Sequence, residues 1–377
     1  MIHWDEVEFY YKPREIILSQ LPYIPNEPEM SKNDSAFLCG LLKKYDPHKV
    51  VEVGVAGGGT TAVIMQCLEE LSEDMHEIYS VDINDRFYMD PKLKCGYLGD
   101  KALDIIKPKH IKHRFLLGKI ACEYEDVIGD NVDCLILDAA HYLPGEVLDF
   151  ISLLPQLKED ALVILHDVSL NFYGRSANCA TGVLLSSVCA DKYMNHDPNV
   201  KNGQYPNIAA FVINAATRES IENVFLALSI SWYYMFPDKI MNAYLKSIKK
   251  HYKKELVELF DTICFMNRNS YIEQKLKYKF PFELICRDEN IIIYGAGRVG
   301  QDYVKQIVAS GYCNIKKWVD RNYKEMSVYR IECPEEIFNA EYDKVVISVE
   351  SKNTSNEIMD WLVERGVEKE KIIWNIL

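Results

Sequence analysis

The chain has 377 residues, 48% of them hydrophobic, and a formal net charge of -13 at pH 7. One hydrophobic core rarely organises that length, so two domains are expected. The acidic balance excludes a chain that gathers nucleic acid or anionic lipid by bulk attraction, and leaves only local basic patches such as residues 246–254.

The eleven cysteines contain no CxxC pair and lie in apolar runs, which reads as reduced core thiols rather than a disulfide or zinc framework. The start, MIHWDEVEFYYKPRE, lacks the apolar core of a signal peptide, and no run approaches the roughly 18 apolar residues of a membrane span. A cytoplasmic enzyme is the expected class.

In chain order, residues 1–30, with Pro13, Pro22, Pro25 and Pro28, read as an arm laid over the first domain. Ser31 to Asp34 offers caps for a helix through FLCGLLKKY, and Pro47 stops it. Residues 50–54 predict a strand, 55–59 a glycine turn, Thr60 to about Leu71 a helix, and 78–82 a second strand ending in Asp82. Further strands are expected at 111–117, in VDCLILD ending at Asp138, and in ALVILHD ending at His166 and Asp167. Strands that end in acids and alternate with helical patterns indicate an α/β fold, a parallel sheet with helices on both faces. Ligands of such sheets sit at the carboxyl edge, here populated by Asp82, Asp138, His166 and Asp167.

Two long Gly- and Asn-rich loops, NFYGRSANCATG and NHDPNVKNGQYPN, bracket a helical pattern before a closing strand, IAAFVIN, and read equally as substrate cover or surface filler. Residues 218–287 are helical throughout and read as a linker or packing segment, with SWYYMF as core rather than a substrate-stacking platform. Residues 288–377 restart the β-α-β pattern as a second, smaller Rossmann-like domain, which leaves 31–217 as the first.

The first glycine motif, from Glu52 to Thr60, reads E-V-G-V-A-G-G-G-T. Gly54 lets the chain turn off the strand, while Gly57, Gly58 and Gly59 keep side chains away from a ligand at the helix start. Asp82 is placed to take both hydroxyls of a ribose. With an acid opening the motif as well, the site suits a nucleoside that bears positive charge.

These residues, with D-A-A-H-Y at 138–142 and L-H-D-V at 165–168, resemble the class I S-adenosylmethionine-dependent methyltransferases. Within that family they look like the subgroup of macrolide-sugar O-methyltransferases and cephalosporin-hydroxylase-like proteins. The resemblance covers about residues 30–215. It implies that Glu52, Gly54, Gly57 to Gly59 and Thr60 hold the methionine part of the cofactor, that Asp82 binds its ribose, and that Gly118 and Lys119 lie near its adenine. It further implies that Asp138 and Asp167 hold magnesium or another divalent metal and that His141 is the general base. The sugar enzymes carry an acid just before the second metal aspartate; this chain has His166, a third candidate ligand. The implied reaction is O-methylation of a sugar or glycoconjugate precursor, so the expected partner is a small molecule rather than nucleic acid, with homo-oligomer formation left open.

The second motif, Gly295-Ala-Gly297-Arg-Val-Gly300, follows an apolar strand and opens a helix, with Asp320 where a ribose-binding acid belongs. A nucleotide or dinucleotide is the expected ligand. The domain resembles modules appended to bacterial polysaccharide and nucleotide-sugar enzymes. Two alternatives stay open: a nicotinamide-dependent nucleotide-sugar epimerase or reductase working from this second motif, and a non-catalytic ligand-binding or assembly subunit.

Overall fold

The structure, a computed structural model, describes residues 1–21, 30–71, 73–173, 178–197, 205–310, 312–325 and 331–375. Pro22, Pro25 and Pro28 of the arm, and residues 174–177 and 198–204 of the two loops, lie outside them. The chain divides into two compact units, Met1–Arg268 and Asn269–Leu377.

In the first unit the order is β1 (Ile2–Trp4), α1 (Lys12–Leu18), α2 (Lys32–Tyr45), β2 (Lys49–Val53), α3 (Gly59–Leu71), β3 (His76–Asp82), α4 (Tyr97–Ile106) and β4 (Ile111–Leu117). It continues with α5 (Glu125–Ile128), β5 (Val132–Leu137), α6 (Gly145–Leu153), β6 (Leu157–His166), α7 (Leu170–Tyr173), α8 (Ala180–Ser187), β7 (Asp191–Met194) and β8 (Ile208–Val212). Four helices follow: α9 (Ala215–Glu219), α10 (Ile221–Ala227), α11 (Asp238–His251) and α12 (Lys254–Lys275), the last running across the division between the units.

The eight strands form one sheet in the order β1-β7-β8-β6-β5-β2-β3-β4. All neighbours are parallel except β8, which runs antiparallel to both β6 and β7. The strands at its centre are buried on both faces, which is why VDCLIL and ALVIL are apolar without alternation. Alternate residues of β2 serve the two layers: Val51 and Val53 face the core that contains α6, α8, α10 and α11, while Val50 faces the core of α1, α2 and α3.

The segment expected as a linker is divided. Residues 218–268 belong to the first unit, and Phe225, Tyr244, Ile248 and Phe260 share the core of Phe150 and Phe211. Aromatic side chains buried to this degree each contribute roughly 1.5–3 kcal/mol relative to exposure, enough to hold these helices to the sheet. The arm also does more than cover: β1 extends the sheet by pairing with β7. All eleven cysteines are free, seven of them buried.

The second unit contains β9 (Asn290–Tyr294), α13 (Arg298–Ser310), β10 (Asn314–Val319), β11 (Lys344–Ile347), α14 (Lys352–Glu364) and β12 (Ile372–Ile373). Its four strands are parallel, in the order β10-β9-β11-β12. Among the described residues no helix is long and apolar enough to cross a membrane.

Candidate functional site

At the carboxyl end of β2 the chain leaves the sheet through Gly54, whose φ of 101° is accessible to glycine at little cost. A Cβ here would lie 1.9 Å from the Asp138 carbonyl oxygen, so the bare glycine lets the ends of β2 and β5 meet. Asp82 shapes the same turn. Its Oδ2 accepts from the Val55 and Ala56 amides at 3.0 Å each, and its Oδ1 from Asn84 N at 2.8 Å.

Several residues expected against the cofactor face the chain itself instead. Leu98 N donates to Gly57 O and Gly96 N to Ala56 O, both at 2.9 Å, while a Cβ on Gly58 would lie 2.9 Å from Gly96 Cα. Gly58 thus admits the start of α4, and neither Gly57 to Gly59 nor Thr60 lines the cleft beside Asp82. Glu52 is buried on the Val50 face of β2, where its Oε2 accepts from Thr61 Oγ1 at 2.7 Å. It lies beneath the helix start and lines no part of the cleft. Gly118 donates its amide to Asp82 O at 2.9 Å, has φ 86° and faces open space; Lys119 does line the cleft.

Burial raises the Glu52 carboxyl to about 7, against the hydrogen bonds from Ser80 and Thr61. A raised acid binds its proton more tightly in the folded state. Its contribution to stability is therefore complete below the unfolded value of 4.5 and is lost as pH rises through about 7. Thermal melts should show Tm falling across that window, and Glu52→Gln should flatten part of the slope; an unchanged slope would contradict the assignment.

Asp138, at the end of β5, and His166 and Asp167, at the end of β6, meet His141 from the loop before α6. Asp167 Oδ2 lies 3.2 Å from His141 Nδ1, and Asp138 Oδ1 lies 3.9 Å from the same nitrogen. His141 and Asp167 have φ of 65° and 59°, left-handed conformations that non-glycine residues adopt only when the surroundings impose them. What imposes the first is Glu146 of α6, fully buried, whose Oε1 accepts from Ala139 N at 3.1 Å and His141 N at 2.6 Å. Burial raises the Glu146 carboxyl, and the His141 side chain and these amides counter it.

His166 does not join the candidate ligands. Its Nδ1 pairs with Asp138 Oδ1 at 2.9 Å and its Nε2 lies 3.5 Å from Asp34 Oδ2. Burial opposes charge on this ring, but Asp138, Asp34 and Asp167 outweigh it and raise its pKa well above the ordinary value. Both ring nitrogens face carboxylates, and His166 stands outside the group whose atoms could share a metal. Asp138 responds in kind: burial raises it, and His166 and His141 bring it below its ordinary value. Asp34 comes from the first turn of α2, where its backbone amide donates to Ser31 Oγ at 3.1 Å and its carboxylate accepts from the same hydroxyl at 2.7 Å. The metal-capable cluster is Asp138, His141 and Asp167, whose ligand atoms lie within 4.8 Å of one another. His141 Nδ1 is buried and makes no hydrogen bond of proper geometry, the state of an atom left for a ligand.

Two hollows meet at this cluster. One, of about 480 Å³, has Gly54, Asp82, Lys119, Asp138, His141, Asp149, Asp167, Phe236 and Tyr244 on its wall. The other, of about 340 Å³, lies between the arm, α2 and the ends of β6 and β8, with Asn33, Asp34, Asn195, Asp197 and Asn207 on its wall. Asp167 lines both.

The second glycine turn repeats the first in miniature. Gly295 has φ 114°, and Asp320 Oδ2 accepts from Ala296 N at 2.7 Å while its Oδ1 accepts from Asn322 N at 2.8 Å. A Cβ on Gly300 would lie 2.0 Å from Gly295 O, so this glycine serves the packing of α13, whereas Gly297 faces open space.

No curated protein matches the chain. Among solved structures it is similar to the O-methyltransferase TomG of tomaymycin synthesis from Streptomyces achromogenes, in complex with SAM (13% identity, TM-score 0.38, 54% of this chain and 87% of that one). It is also similar to an O-methyltransferase from Bacillus cereus in complex with SAH (14%, 0.35, 53% and 90%). A third is the SAH-bound methyltransferase PaMTH1 from Podospora anserina (12%, 0.35, 53% and 85%). These likenesses are too remote to assign chemistry. Residues 287–373 match the family model described as C2185-like, N-terminal. Residues 51–168, from within β2 to just beyond Asp167, match the family model described as a methyltransferase domain, and that stretch supplies β2 to β6 of the Rossmann-like methyltransferase sheet.

Proposed function

We propose that the first unit is an S-adenosylmethionine-dependent O-methyltransferase whose acceptor is a hydroxyl of a sugar or glycoconjugate precursor. The observation that carries this reading is the position of Asp167 and its neighbour His141. They stand where a cleft edged by a nucleoside-type acid, Asp82, adjoins a second hollow walled by carboxylates and amides. A methyl donor in the first and an acceptor in the second place the reacting atoms at this wall. The second hollow has no lysine or arginine among its described lining residues, which disfavours an anionic acceptor and suits hydroxyls that both donate and accept.

The residues divide the work as follows. Asp82 takes the ribose hydroxyls. A small turn of the His141 ring aligns its Nδ1–H with Asp167, 3.2 Å away, and leaves Nε2 basic. As the acceptor oxygen bonds to the methyl carbon, the sulfur–methyl bond breaks to leave a neutral thioether, and the hydroxyl proton passes to His141 Nε2. Glu146 fixes the His141 backbone, and His166 pairs with Asp138. Asp138, His141 and Asp167 also fit a divalent cation, which when bound supplies charge that lowers the pKa of the acceptor hydroxyl. An imidazole among the donors favours a transition ion over magnesium.

Calorimetry with S-adenosylhomocysteine tests the donor assignment. Wild type should bind, and Asp82→Ala should weaken binding on the order of 10- to 100-fold through loss of charge-assisted hydrogen bonds. No binding by wild type, or equal binding by the variant, would sink the reading.

A further inference from the structure

On the wall of the second hollow, the serine hydroxyls and side-chain amide nitrogens of the described residues already donate within the protein. Ser31 Oγ donates to Asp34 at 2.7 Å and Asn33 Nδ2 to Asp197 at 2.6 Å. Asn207 Nδ2 donates to Asp167 at 2.8 Å, and its Oδ1 accepts from Ser169 Oγ. The carboxylates of Asp34, Asp167 and Asp197 meet no lysine or arginine among the described lining residues, and His166 is shared by Asp34, Asp138 and Asp167. Asn195 on the same wall is 6% exposed, and its Oδ1, shielded from water, has no hydrogen-bond partner. Its Nδ2 donates to Val7 O, and Val7 does not line the hollow, so the oxygen is the end of the amide left to it. A buried carbonyl in this state costs free energy until a donor arrives.

Asn195 and Asp197 follow β7 two positions apart, and His196 between them is turned to the arm, where its Nδ1 meets Asp5 Oδ2 at 2.8 Å. One short stretch therefore presents both an unpaired carbonyl and a carboxylate to the hollow. We propose that the acceptor sugar carries a protonated primary amine, which donates to Asn195 Oδ1 with Asp197 as its counter-charge. This deepens the acceptor reading above and rests on it. An ammonium group has three donors and no acceptor, the complement of a wall whose donors are engaged, whereas a hydroxyl brings lone pairs that the wall does not seek. A protonated nitrogen has no lone pair with which to take a methyl group, so the amine anchors the acceptor while a hydroxyl of the same sugar is methylated. Phe9 and Phe37 line the same hollow and offer rings to the apolar face of a sugar.

The test is an NMR titration of the full chain, saturated with S-adenosylhomocysteine. The probes are methyl glucoside, its analogues with a primary amine in place of one hydroxyl, and the N-acetyl form of each. At least one amine should bind on the order of 10- to 100-fold more tightly than its N-acetyl form and than the parent glucoside, the range of a hydrogen bond to a charged group. Asp197→Asn is isosteric and still accepts from Asn33, so it should fold as wild type does and lose most of that preference. Asn195→Leu removes the unpaired carbonyl and should do the same, with an unchanged affinity for S-adenosylhomocysteine as the measure that separates this loss from misfolding. No amine preferred over its N-acetyl form, or the wild-type ratio kept in both variants, would overturn the assignment while leaving the donor reading intact. Failure of wild type to bind S-adenosylhomocysteine at all would overturn both.

Discussion

Gly54→Val is expected to unfold the protein at markedly lower urea concentration and to abolish binding of S-adenosylhomocysteine. Two costs combine. At φ 101° a branched side chain is strained whatever space surrounds it, which costs about 1–3 kcal/mol. The new Cβ would also sit 1.9 Å from the Asp138 carbonyl oxygen and 2.8 Å from Ala139 Cα, both backbone atoms that no rotamer change relieves. Moving that backbone costs a further 1–3 kcal/mol by the usual scale of overpacking, so a total of roughly 2–6 kcal/mol is expected. The shift would displace Asp138 from His166 and the Ala139 amide from Glu146, taking the cluster with it. A urea midpoint within error of wild type would show that the β2 and β5 ends tolerate separation.

The second large effect is on turnover. His141→Asn should lower kcat by about 10²–10⁴, the usual worth of a positioned general base, with the dissociation constant for S-adenosylhomocysteine little changed. Asparagine is the suitable replacement because His141 stands at φ 65°, a conformation it tolerates better than alanine does. Its backbone stays anchored, through the amide to Glu146 and through the carbonyl, which accepts from Ala180 N at 2.9 Å. The same assay with EDTA separates the two uses of Nδ1. Wild-type activity indifferent to EDTA assigns that nitrogen to Asp167, whereas activity lost and then restored by a divalent ion assigns it to the ion. Unchanged turnover in His141→Asn would remove the base from the account.

Much of this site was readable from local pattern because a parallel sheet delivers every strand's carboxyl end to one edge. Asp82, Asp138 and Asp167 needed only to be recognised as strand-terminal acids to be placed together. What local pattern does not carry is the partner across the fold. His166 looked like a candidate ligand because it stands where the sugar methyltransferases carry an acid before the second metal aspartate; its fate is decided by Asp34, 132 positions earlier, 3.5 Å from its Nε2. Glu52 looked like a cofactor residue by its place in the motif, but the period of two along β2 turns it beneath α3 toward Thr61. Gly58 is spent on the start of α4, a helix in the stretch 83–110 for which no element was expected.

Glu146 left a signal that went unread: an acid in the first turn of an apolar helix, directly after the loop that carries His141. The edge strands β1 and β7, of three and four residues, are too short for periodicity to show, and both are created by pairing with each other and with β8. The helices after residue 218 were legible as helices but not as cleft wall, because nothing in their own spacing distinguishes a face that meets a neighbouring unit from one that meets the sheet.

The most direct measurement of the central claim is a crystal structure of the protein with S-adenosylhomocysteine. The account places the ribose hydroxyls on Asp82 and the sulfur facing His141 and Asp167 beside the second hollow. Density for the ligand elsewhere, or in this cleft with its sulfur turned away from His141 and Asp167, would contradict it.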